Sequence, residues 1–139
     1  MLYPELTVEA VVAEVRKVAA ERPDFIYTDQ PERVARADKL KMSHTSLGCS
    51  YIGAFPADPG ESPVGHRCIV GQALKRLGVL DADLEPAEGQ SASSLLTFIK
   101  GTSPIGSAWL NMLQGAQDTG RSWSKAVAHA DAECGKVGA

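Results

Sequence analysis

A chain of 139 residues that is 44% hydrophobic and 22% charged has the length and composition of a single globular domain, which excludes a fibrous or disordered polymer. Seventeen acidic against fourteen basic side chains leave a formal net charge of -3, and no basic stripe carries interleaved aromatics, so a nucleic-acid partner is not expected. No apolar run approaches the roughly 18 residues of a membrane span and no signal-peptide pattern opens the chain, which points to a cytoplasmic protein without membrane contact.

In chain order, Thr7 is placed to cap a first helix, with Leu6 and Val11 spaced as a hydrophobic staple. Val8, Val11, Val12, Val15, Val18 and Ala19 recur on one face of that helix, and Pro23 ends it. Phe25 to Tyr27 are good strand formers bounded by Pro23 and Pro31. Pro31 opens a second helix that fades near Lys41, and Cys49 to Ile52, between Gly48 and Gly53, are a second strand candidate. The two strands would pair as a small ribbon and pack against helices, since two strands alone are marginal.

Residues 53–65, GAFPADPGESPVG, resist regular structure and form the longest expected loop. A helix follows over Arg67 to Leu77, with Ile69, Val70, Ala73, Leu74 and Leu77 on one face. Gly78 closes it and folds Val79 back towards Leu74. Gly71 costs that helix about 1 kcal/mol relative to Ala, which implies that another element approaches closely there. After an acidic connector, DADLEPAEG, three more helices are signalled: by Ser91 or Ser93 before Leu95, Leu96 and Ile99; by Ser103 with Pro104; and by Ser122 before Trp123. The expected buried face of the second of these is Ile105, Trp109, Met112, Leu113 and Ala116. The fold expected is α+β, mainly α: five or six helices around a two-stranded β element, with residues 1–134 as one compact domain and 135–139 as a flexible tail.

This frame offers four kinds of chemistry. His44, Cys49, His66 and Cys68 supply the two nitrogens and two sulfurs of a structural zinc site, but H-x4-C and H-x-C depart from the usual knuckles. The bland reading is two small buried thiols and two loop histidines, with all three cysteines reduced, because an odd number at wide spacing is no disulfide framework. Cys68 in the first turn of its helix could be an activated nucleophile, although His66 and the distant His129 are poor candidates for its base. Asp81, Asp83 and Glu85 lack the glycine and distal glutamate of a calcium loop, and GESPVGHRC matches no phosphate-binding motif. No cofactor is implied. The remaining candidate is a partner-binding surface on the loop and the adjoining helix start, made of Phe55, Pro56, Val64, His66 and Arg67. Trp109 and Trp123, at helical core spacing, are expected to be buried.

The P-D-F-x-Y stretch, the C-x-Y stretch, the G-x-x-C-I-V-G-Q-A-L helix and the Q-D-x-G-x-x-W helix start resemble parts of small proteins encoded by actinobacteria and their phages. The resemblance implies a bacterial or viral origin and carries no catalytic residue over to this chain. Phage accessory proteins often bind host components, so by analogy it implies a non-enzymatic interaction module whose partner is another protein or a second copy of itself.

Overall fold

A computed structural model describes Tyr3, residues 6–41, Tyr51, residues 67–87 and residues 104–136. Six α-helices lie among these residues: α1 (Val8–Glu21), α2 (Pro31–Lys39), α3 (Ile69–Arg76), α4 (Asp81–Leu84), α5 (Pro104–Asp118) and α6 (Trp123–Cys134). Short 3-10 turns occupy Tyr27–Asp29 and Glu85–Ala87. No helix among the described residues is long and apolar enough to cross a membrane.

The first helix forms as its pattern dictates. Thr7 Oγ1 accepts a hydrogen bond from the Ala10 amide at 3.1 Å, satisfying one of the free N–H groups of the first turn. Val8, Val11, Val12, Val15 and Val18 are all buried. Valine is a poorer helix former than alanine by about 0.5 kcal/mol. Burying one valine side chain gains roughly 1.5 kcal/mol, so packing rather than propensity holds α1. Its partners are chiefly α3, with α5 and α6 also in contact, while α5 and α6 pack on each other as a helical hairpin.

The α+β expectation is corrected: no strand or sheet is found among the described residues. Phe25 and Ile26 are irregular and Tyr27–Asp29 is a 3-10 turn, closed by the Asp29 amide donating to the Ile26 carbonyl at 3.2 Å. The strand preference of Phe-Ile-Tyr reflects a liking for burial, and here burial is reached without a ladder. Tyr27 is buried and the Phe25 ring lies 4.3 Å from that of Trp123. The carbonyls that a ribbon would have used serve α6 instead: Pro23 accepts from Ser124 N–H and Phe25 from Trp123 N–H, each at 3.0 Å. Of the second strand candidate only Tyr51 is described, and it lies in a bend.

Tyr51 explains Gly71. A methyl group on Gly71 would stand 2.2 Å from the Tyr51 carbonyl oxygen, so only glycine lets the two backbones meet. The same carbonyl accepts from Arg67 Nη1 at 3.0 Å, and Tyr51 Oη accepts from Gln114 Nε2 at 2.9 Å. One residue is thereby pinned to both α3 and α5.

The buried face of α5 is rotated from the expected one. Ile105 and Met112 are 60% and 41% exposed, whereas Gln114 and Gln117 are buried beside Trp109, Leu110 and Leu113. Both glutamines are tolerated inside because each is hydrogen-bonded. Gln117 Oε1 accepts from the Ile69 amide at 2.8 Å and from Trp123 Nε1 at 3.1 Å, tying the start of α3 to α6. Trp109 and Trp123 are fully buried, as their spacing predicts.

The acidic connector is ordered, with Asp81 and Glu85 exposed. It forms α4 and the following 3-10 turn, with Leu84 buried, Asp81 held by Arg67 Nη2 at 2.7 Å, and Asp83 accepting from the Tyr3 hydroxyl. Tyr3 Oη in turn accepts from the Leu80 amide at 2.9 Å. The bond to the Asp83 carboxylate raises the Tyr3 pKa, outweighing the opposing bond from Leu80. The signalled helix near residues 91–99 lies outside the described residues.

Candidate functional site

Of the partner surface expected at the loop, Phe55, Pro56, Val64 and His66 lie outside the described residues. Arg67 is described and is committed within the chain, donating to the Tyr51 carbonyl and, through Nη2, to both Asp81 carboxylate oxygens at 2.7 and 2.9 Å. Its side chain is only 13% exposed, so it works as a brace between α3, α4 and Tyr51.

The reading of three reduced thiols is corrected at Cys68, which is disulfide-bonded. Cys68 is fully buried and is the N-cap of α3, one position before the helix rather than inside its first turn, with Sγ accepting from the Gly71 amide at 3.4 Å. A sulfur in a disulfide is neither a thiolate nucleophile nor a zinc ligand. Cys134, on the last turn of α6, is free and half-buried. His44, Cys49 and His66 lie outside the described residues, and among the described residues no group of three or more His, Cys, Asp or Glu converges.

The site that the structure does bring together lies on α6. An open cleft of about 510 Å³ has Arg121, Lys125, Ala128 and His129 among its walls. Lys125, Ala128 and His129 share one face of α6 at i, i+3 and i+4, and Arg121, two residues before the helix, joins them in the cleft wall. The opposite face carries Trp123, Ala126 and Ala130 into the core. Arg121 and Lys125 are exposed, and neither forms an ion pair with a described residue.

This wall is held rigidly at both ends. Gly120, at φ +103°, makes the left-handed turn out of α5, and the Arg121 amide then donates to the Ala116 carbonyl at 3.1 Å. Ser122 caps α6, its Oγ accepting from the Lys125 amide at 3.4 Å. The amides of Trp123 and Ser124 are taken by Phe25 and Pro23, and that of Ala126 by the Ser122 carbonyl at 2.8 Å. The helix start therefore offers no free N–H group to an anion, and any attraction for negative charge comes from the side chains.

At the other end, Asp131 receives a two-pronged contact from Arg16 at 2.7 and 3.0 Å and a third bond from Trp109 Nε1 at 2.9 Å. The Arg16 guanidinium lies 5.1 Å from the Trp109 ring centroid, adding a cation–π contact. Hydrogen bonding from Arg16 first, and from Trp109 with it, holds the Asp131 carboxyl below the usual carboxylate range, against the effect of partial burial. Asp131 is thus neutralised inward, by Arg16 of α1, rather than by a cation of the cleft.

Sequence reasoning considered His129 only as a distant base for Cys68 and did not group it with Arg121 and Lys125. The i, i+4 spacing of Lys125 and His129 was legible, but Arg121 precedes the cap of the helix that carries them and shares no periodicity with them. No protein family, curated protein or solved structure matches the chain.

Proposed function

We propose that the chain is a non-enzymatic interaction module that binds an acidic segment of another protein in the cleft walled by Arg121, Lys125, Ala128 and His129. The observation that carries this reading is the pair of exposed cations, Arg121 just before α6 and Lys125 in its first turn, that wall one cleft without ion-pair partners among the described residues. Carboxylates from a partner would supply the missing negative charge, while the methyl of Ala128 and the aliphatic stems of Arg121 and Lys125 offer apolar contact between them. The formal charge of -3 on the whole chain opposes a polyanion as long as a nucleic acid, whose binding needs many phosphates neutralised. A short acidic peptide meets only the local cations.

The disulfide at Cys68 argues against a cytoplasmic setting, since such bonds persist mainly in oxidising compartments.

The test is a fluorescence-anisotropy titration with a fluorescein-labelled peptide of alternating Glu and Leu. Reversing Arg121→Glu together with Lys125→Glu is expected to weaken binding at least about tenfold. Lys75→Glu, an exposed cation on α3, should leave it within about twofold. Equal losses from both changes would refute a specific site. A concentration-dependent dimer dissolved by the same double reversal would make a second copy the occupant and overturn the assignment to a foreign segment.

A further inference from the structure

We propose that the outer face of α5 is a self-complementary docking surface, on which a second copy of the chain packs antiparallel about a two-fold axis. Ile105, Ala108, Met112 and Gly115 follow one another at intervals of three, four and three residues, which places them in one stripe along the helix. Ile105 and Met112 are 60% and 41% exposed and Gly115 is exposed too, while Trp109, Leu110 and Leu113 hold another face of α5 in the core. A lone apolar side chain on a surface is ordinary, but two large ones two turns apart on one stripe make a patch.

The order of sizes along the stripe is large, small, large, small. In an antiparallel pair whose axis passes beside residue 110, position 105 meets position 115 and position 108 meets position 112, because both pairs are centred there. Each contact then sets a large side chain against a small residue: Ile105 lies over the partner's Gly115, and Met112 over the partner's Ala108. Such alternation lets two helices approach to the roughly 8 Å of a close crossing. A foreign segment has no cause to mirror this spacing, whereas a second copy mirrors it by symmetry.

Gly115 fits the same pairing. Glycine weakens a helix interior relative to alanine. At Gly71 the missing side chain makes room for the Tyr51 backbone, but a Cβ on Gly115 would meet nothing within 4 Å among the described residues. The partner's Ile105 fills that space in the pair.

Charge points the same way. Pro104, Ile105, Asn111, Met112 and Gly115 are all exposed and none is charged, although the water-facing side of a surface helix usually carries charge. Depletion of charge marks the centre of interfaces, and an uncharged face meets its own copy without setting like charges together. The helix has 15 residues, which makes the strip about 22 Å long and about 10 Å wide. That is far short of the roughly 800 Å² per partner of a stable complex, so the pair is weak, with a dissociation constant of about 0.1–1 mM. No residue of the stripe is among the described walls of the cleft at Arg121 and Lys125, and this surface does not rest on the acidic-segment reading.

The test is sedimentation equilibrium of the full chain from about 10 µM to about 2 mM, with melting followed by circular dichroism. The parent is expected to show a monomer–dimer equilibrium. Gly115→Ile fills space that is open in the monomer, so it should melt no lower than the parent while its dissociation constant rises at least about tenfold. Ile105→Ala should weaken the pair to a similar degree. The double variant Ile105→Ala, Gly115→Ile exchanges large and small, and it should return to within about threefold of the parent. Met112→Glu should abolish pairing, and Arg121→Glu with Lys125→Glu should leave it within about twofold. A parent that stays monomeric throughout overturns the proposal. So does a pair that tolerates Gly115→Ile, or one that the double variant fails to restore. A pair dissolved by the Arg121 and Lys125 reversals moves the contact to the cleft and overturns it as well.

Discussion

The side-chain carbonyl of Gln117 accepts the Ile69 amide at 2.8 Å, so a residue on α5 satisfies the first N–H group of α3. The same oxygen also takes the Trp123 indole N–H at 3.1 Å. Three helices that enclose the core thus share one buried acceptor. Replacing Gln117→Leu keeps the volume but strands two buried donors, each costing about 1–3 kcal/mol. The expected outcome in urea denaturation is a loss of about 2–4 kcal/mol with an unchanged m-value. A loss below about 0.5 kcal/mol would show that water reaches these donors.

Gly71→Ala sets two effects against each other. Alanine gains about 1 kcal/mol of helix propensity over glycine. The new methyl would stand 2.2 Å from the Tyr51 carbonyl oxygen, and a backbone atom cannot turn away as a side chain can. Overpacking costs about 1–3 kcal/mol or more, so the clash wins and the variant should melt lower. A variant that melts higher would mean that Tyr51 is free to withdraw.

Asp131 links stability to pH. Its carboxyl is held below the usual range in the folded chain, so it binds a proton more readily when unfolded. Its contribution is complete above the unfolded pKa of about 3.9, and it disappears as pH falls through the lower folded value. Asp131→Asn should cost about 1–2 kcal/mol at pH 7, and its stability curve should converge with that of the parent as pH drops below about 4. A constant gap down to pH 2 would assign the loss to packing rather than charge.

Much of this was legible in the sequence where one physical rule acted alone. The valine stripe of α1, its Thr7 cap and the burial of both tryptophans follow from helical spacing. So does the close approach at Gly71, since a mid-helix glycine signals a missing side chain. The reading failed where tertiary partners redirected local preference. Phe25 to Tyr27 carry strand-forming side chains, yet the backbone carbonyls of Pro23 and Phe25 are taken by the start of α6, a demand no local pattern records. The face of α5 was misjudged because glutamine counts as polar, and only the positions of Ile69, Trp123 and Tyr51 reveal that Gln114 and Gln117 can be satisfied inside. An odd cysteine count does not exclude one bond plus one free thiol, which is how Cys68 and Cys134 stand.

The proposed cleft was missed for a related reason. Its cations are separated by a cap, so Arg121 reads as loop and Lys125 as helix, although both wall the same cleft.

The most direct measurement is a ¹⁵N-resolved chemical-shift titration of the intact protein with the Glu/Leu peptide. The account predicts saturable shifts confined to Arg121, Lys125, Ala128, His129 and their neighbours, suppressed by 0.5 M salt, where the screening length falls to about 4–5 Å. Shifts centred instead on residues 54–67, with α6 unmoved, would contradict it.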